Sequence, residues 1–82
     1  MADRYEPIVT AIVNEVERAE KLHKPINSLH EGYAVIVEEM EEFWDQVKLR
    51  AEKRDPVSVR TELIQMAAMC VRTILNVCDR SG

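Results

Sequence analysis

Glycine and proline are scarce in this 82-residue chain, with two and three copies, so the residues that punctuate hairpins and strand ends are in short supply. No stretch alternates apolar and polar residues as a half-buried strand does, and there is no repeat or low-complexity segment. Both absences favour an all-α fold. No apolar run approaches the roughly 18 to 20 residues that span a bilayer. The opening residues Met1-Ala2-Asp3-Arg4-Tyr5-Glu6 lack the apolar core of a secretion signal. A soluble cytoplasmic protein with no membrane partner is expected. Positive charge is also lacking: 11 basic residues against 15 acidic ones give a net charge of −4, which provides no field for a nucleic acid polymer. A small phosphate compound held through a metal is not excluded.

Cysteine and histidine are nearly as rare, with two of each. Cys70 and Cys78 lie two helical turns apart in one predicted helix, about 12 Å by rise and too far to bridge each other. A reducing compartment and a role in the core follow as expectations. His23 and His30 lack the His-x-x-x-His spacing of a zinc site and have no cysteine nearby, so they read as surface or capping residues.

What the chain does have is helical periodicity. One domain, residues 1–82, is all this length allows, and a chain so short buries only about 60% of its unfolded surface, which points to a partner copy. Ile8, Val9, Ile12, Val13, Val16, Ala19 and Leu22 share one face of a helix over about 6–23, with Pro7 in its first turn. Ser28 followed by Glu31 is a capping-box pattern and starts a second helix over about 28–53. Its stripe runs through Leu29, Tyr33, Ile36, Val37, Met40, Phe43, Trp44, Val47 and Ala51. Asp55-Pro56 restarts the chain for a third helix over about 56–79, apolar around most of its circumference. Two companions cannot enclose such a helix, so the antiparallel hairpin and its N-terminal helix are expected to assemble into a bundle as an oligomer, a dimer or tetramer.

The second helix also carries Glu38, Glu39, Glu41, Glu42 and Asp45. On a wheel of about 100° per residue, Glu38, Glu41 and Asp45 point away from the stripe, while Glu39 and Glu42 occupy one shoulder one turn apart. Glu62 and Gln65 fall on the matching shoulder of the third helix. In an antiparallel hairpin the offsets between these positions are roughly 6 Å, within reach of glutamate side chains. Three carboxylates meeting there repel one another unless a cation sits between them, and Mg²⁺ suits hard oxygen ligands. The alternative is a solvated acidic face, which is common on helices.

Glu38-Glu39-Met40-Glu41-Glu42 matches Glu-Glu-x-x-Glu, and Thr61-Glu62-Leu63-Ile64-Gln65 stands where Glu-x-x-Asp would follow on the next helix. With the lead-in Ser28-Leu29-His30-Glu31-Gly32-Tyr33-Ala34-Val35, and over nearly its whole length, the chain resembles the MazG-like all-α nucleoside triphosphate pyrophosphohydrolases, in particular a short bacterial and phage branch. The resemblance implies Mg²⁺-dependent cleavage of a nucleoside triphosphate to monophosphate and pyrophosphate by a helical oligomer. It implies Glu39, Glu42 and Glu62 as metal ligands, with Gln65 a weaker one and Glu38 the catalytic candidate. Because the wheel turns Glu38 outward, it would act across a subunit boundary or behind the ligands. Gln65 departs from the family pattern, supplying an amide where a carboxylate is expected, and the periodicity predicts three helices where many relatives use a further one to close the pocket. A non-catalytic helical interaction module on the same scaffold is the alternative.

Other residues carry two readings. Lys48, Arg50, Arg54, Arg60 and Arg72 are candidate phosphate contacts or, more simply, solvated charges. Tyr33 and Trp44 either stack on a base or pack in the core or between subunits, and Met66 and Met69 fill an interface or line a pocket.

Overall fold

A computed structural model describes residues 3–80, and these form three helices and no strand. The first, α1, spans Glu6–Leu22 and carries Pro7 in its first turn, where the missing N–H leaves no bond unmade. The second, α2, spans Leu29–Val47 and is capped by Ser28, whose Oγ accepts from the Glu31 N–H at 3.1 Å. The reciprocal half of the capping box does not form among the described residues. The third, α3, spans Pro56–Thr73 with Asp55 as its cap: Oδ1 accepts from the Val57 N–H at 3.1 Å and Oδ2 from the Ser58 hydroxyl at 2.9 Å. It runs on as a π-helical stretch, Ile74–Cys78, in which the Asp79 N–H reaches back to the Ile74 carbonyl.

The second helix is shorter than its periodicity predicts. It ends at Val47 and not near residue 53, and Ala51–Lys53 form a separate 3₁₀ turn. The guanidinium of Arg54 folds back onto the open helix end, donating to the carbonyls of Gln46 at 3.3 Å and Val47 at 2.7 Å. A helix continued to residue 53 would carry the chain about 9 Å further before it could reverse. Arg54 is therefore a cap and not a free surface charge.

The hairpin of α2 and α3 is antiparallel, with Gly32 against Thr73 at one end and Glu42 near Glu62 toward the other. On its opposite flank α3 meets α1, whereas α1 and α2 scarcely touch. The result is a single layer of helices, 49 × 36 × 19 Å, with a radius of gyration of 14.2 Å. A compact domain of this length would have roughly 12 Å. The core is correspondingly small: Val16 and Ala19 of α1 against Ala68 and Met69 of α3, flanked by Ile12, Val35, Ile36 and Val71.

This layer overturns part of the expected burial. Tyr33, Met40 and Trp44 are 72%, 49% and 56% exposed, and Leu29, Ile8, Val9, Val13 and Leu22 are open as well. The side of α2 that meets α3 is centred nearer Gly32, Ile36 and Phe43, because Gly32 alone lacks a side chain and lets the two backbones approach. Cys70 and Cys78 are free thiols and exposed, not core residues, since they lie where no third helix covers α3. Arg72 is the opposite case. It is the one buried charged residue among the described residues, 3% exposed, with Nε donating to Glu20 Oε2 at 2.6 Å and Nη2 to the Lys24 carbonyl at 3.1 Å. It ties α1, the connection that follows it, and α3 together, so the reading of a solvated charge does not hold.

Two outcomes test this packing. A Cβ at Gly32 would stand 2.6 Å from Thr73 Cγ2 and 2.7 Å from its Oγ1, which donates to the Met69 carbonyl and is not free to turn. Gly32→Ala should therefore destabilise the fold by about 1 to 3 kcal/mol, against the gain of about 1 kcal/mol that helix propensity alone predicts. A urea titration reads the sign. Glu20→Gln leaves the Arg72 guanidinium buried without a counter-charge and should cost about 2 kcal/mol, with the Lys24 carbonyl still accepting. An unchanged unfolding midpoint would show that the pair is incidental.

Candidate metal centre

Three carboxylates meet on one side of the α2–α3 hairpin. Glu39 and Glu42 stand one turn apart on α2 and so project from the same shoulder, and Glu62 reaches them from α3. One oxygen from each lies within 4.8 Å of the others. Glu42 is exposed, while Glu39 and Glu62 are half-buried, each with its Oε2 fully enclosed and without a hydrogen-bond donor. The side-chain oxygen of Gln46, one turn beyond Glu42, is enclosed and unpartnered in the same way. Each of the three is an enclosed acceptor without a donor, a need that a bound cation or a hydrogen-bond donor would meet.

The electrostatics register the crowding. Burial, followed by the close approach of the Glu42 carboxylate and the charges of Glu62 and Glu15, pushes the Glu39 carboxyl up to about 7. Burial, followed by the close approach of the Glu42 carboxylate and the charge of Asp45, pushes Glu62 upward as well. The donors are carboxylate oxygens, which suit a hard divalent cation better than a soft one.

Beside the trio, a cleft of about 380 Å³ opens between α1, the α1–α2 connection and α2, with Gln65, Met69 and Arg72 of α3 along it. Glu39 belongs to both the trio and the cleft. Glu38 is exposed and lines the cleft, so its outward position on the wheel is a position toward this opening and not into empty solvent. Gln65 also lines it. Of the proposed phosphate contacts, only Arg72 reaches the cleft, and its donors are committed to Glu20 and Lys24; Lys48 pairs with Asp45 at 3.2 Å, and Arg50 and Arg60 are exposed elsewhere.

The cleft brings in residues that the reading of motifs passed over. Glu15 and Arg18 of α1 form a two-point ion pair, 2.8 Å from Nε and 2.6 Å from Nη2, and the arginine's hydrogen bond holds the Glu15 carboxyl below its ordinary range. Their i, i+3 spacing is visible in the sequence, but which helix they face is not. His23 and Lys24 enter from the connection, and Glu31 from the first turn of α2. His30, Tyr33 and Trp44 are exposed and do not line the cleft. Met69 lines it and is also part of the core.

In comparison with known proteins, no family model, no curated protein and no solved structure matches this chain.

The raised Glu39 carboxyl sets a pH dependence. The folded chain keeps a proton that the unfolded chain releases near 4.5, so this group's contribution to stability is complete below 4.5 and is lost as pH rises through about 7. Without divalent cations, Glu39→Gln should gain thermal stability relative to the parent chain across that window. The difference between the two isolates this group from Glu15 and Glu20, whose lowered carboxyls act in the opposite direction. A difference that stays flat with pH would mean that neither burial nor the neighbouring carboxylates raise this group.

Proposed function

We propose that the chain is a Mg²⁺-dependent nucleoside triphosphate pyrophosphohydrolase, converting a nucleoside triphosphate and water to a monophosphate and pyrophosphate. It would act as a cytoplasmic homo-oligomer. The observation that carries this reading is the convergence of Glu39, Glu42 and Glu62, with two of their oxygens enclosed and unpartnered. The order and spacing of these glutamates support it, as does a cleft of about 380 Å³, within the usual size of small-molecule sites. Two exposed, unpaired cysteines accord with a reducing compartment.

Glu39, Glu42 and Glu62 would hold the metal. Bound there, Mg²⁺ would supply neutralising charge for phosphate oxygens and a lowered pKa for a water molecule. Glu38, exposed on the cleft that Glu39 also lines, would take a proton from attacking water at its carboxylate. Glu15 and Arg18 set the charge on the far wall. Gln65, on the same cleft, would align a water or a substrate oxygen through its amide but adds no negative charge.

A second reading, a non-catalytic helical interaction module, is favoured by that same Gln65. The two separate on a direct assay. With Mg²⁺ and a panel of canonical and modified nucleoside triphosphates, the chain should release pyrophosphate, and Glu42→Gln should lower the rate at least ~100-fold, as expected when catalytic charge stabilisation is lost. Because Glu42 is exposed, the fold should survive the substitution. Mg²⁺ at about a hundred times its dissociation constant should stabilise the parent chain by ~2.7 kcal/mol and the variant by much less. No release from any triphosphate leaves the module reading.

A further inference from the structure

Among the described residues, three side-chain polar atoms are fully enclosed and have no hydrogen-bond partner: Glu39 Oε2, Glu62 Oε2 and Gln46 Oε1. Two belong to the carboxylate trio. The third is an amide oxygen, and a buried polar atom is as a rule paired. Its place follows from the hairpin. Glu39 and Gln46 are seven residues apart, about two turns of α2, and about 20° from each other on the wheel, with Glu42 between them along the axis. Gly32 stands against Thr73, so the antiparallel register puts Glu62 level with Phe43. Glu62 therefore stands between Glu39, roughly 6 Å to one side along the axis, and Gln46, roughly 4.5 Å to the other. Both of these α2 residues are half-buried. Gln65, where the resemblance expects the fourth ligand, lines the cleft, and its side chain holds no enclosed and unpartnered atom.

We infer that Gln46, and not Gln65, gives this centre its fourth protein oxygen: a hard divalent cation held by Glu39, Glu42 and Glu62 is also coordinated by Gln46 Oε1. The inference rests on the metal reading proposed above and departs from the ligand set that the resemblance implies. The chemistry of the amide fits the place. Its carbonyl oxygen is a hard ligand of the kind that Mg²⁺ and Mn²⁺ accept. It brings no charge, so it adds a fourth oxygen without adding to the repulsion among three carboxylates that no basic side chain of the described residues neutralises. It also leaves the Gln65 amide on the cleft for groups other than the metal. The competing arrangement turns the Gln46 amide round, so that its nitrogen donates to a carboxylate of the trio and no carbonyl faces a cation. The two arrangements predict opposite effects of removing the amide, because in the first it is an unmet acceptor in the metal-free chain and in the second it is a donor in use.

Cation binding to the full chain without nucleotide decides between them, read by calorimetry with Mg²⁺ and by the paramagnetic resonance signal of free Mn²⁺. Gln46→Met, close in size and lacking the amide, should weaken binding at least tenfold. Gln46→Glu, which keeps an oxygen there and adds charge, should bind at least as tightly as the parent chain. Gln65→Met should leave the affinity unchanged, and helical circular dichroism checks that each variant folds. With no metal present, Gln46→Met should unfold at the same temperature as the parent or higher. A Gln46→Met chain that binds as tightly as the parent overturns the inference and leaves the metal reading standing, as does one that loses metal-free stability at unchanged affinity. Weakening by Gln65→Met and not by Gln46→Met overturns it in favour of the ligand set that the resemblance implies. A parent chain that binds neither cation removes the metal reading and this inference with it.

Discussion

Everything in this fold leans on α3. Among the described residues it is the helix that packs against both of the others, through a backbone approach at Gly32 and Thr73 on one flank and through Ala19, Ala68 and Met69 on the other. Small residues at both contacts bring the helices close, and close packing is what gives so small a core its cohesion. The same constraint limits what the chain can bury alone. With α3 occupied on two sides, its remaining surface and the outer sides of α1 and α2 stay open.

The carboxylate site is a consequence of that hairpin geometry. Holding Gly32 at Thr73 fixes the register, and the register brings Glu62 level with the shoulder of α2 that carries Glu39 and Glu42. Nothing else in the site forces the three groups together, since their mutual effect is repulsive and among the described residues no basic side chain pairs with them. Arg18 and Arg72 are both near, yet each is bound to a different glutamate. A fold that concentrates like charge while assigning its arginines elsewhere spends stability at that point, a pattern that belongs to binding sites more than to scaffolds.

Much of the fold was legible in the residues themselves. Three helices, the capping serine and aspartate, and the antiparallel hairpin all follow from spacing of about 3.6 residues and from local start signals, which depend on neighbours in the chain. The angular position of Glu39, Glu42 and Glu62 follows for the same reason. The end of α2 did not, because it is set by Arg54 reaching back seven and eight residues to open carbonyls. Nor did the burial of Arg72, whose partners Glu20 and Lys24 lie 52 and 48 residues away. The thiols and the apolar stripe of α2 were misjudged alike: apolar periodicity says that a face should be covered, not that this chain covers it.

By itself, then, the sequence determined the helices, their caps and the faces on which the glutamates stand, since these are matters of local spacing and local hydrogen bonding. Only the tertiary structure decided how far the three carboxylates lie from one another, that Glu15 and Arg18 of α1 share their cleft, and that much of the apolar surface stays open. Each of those depends on the side-to-side order of helices and on a close approach at one glycine, and neither is written in the period of any single helix.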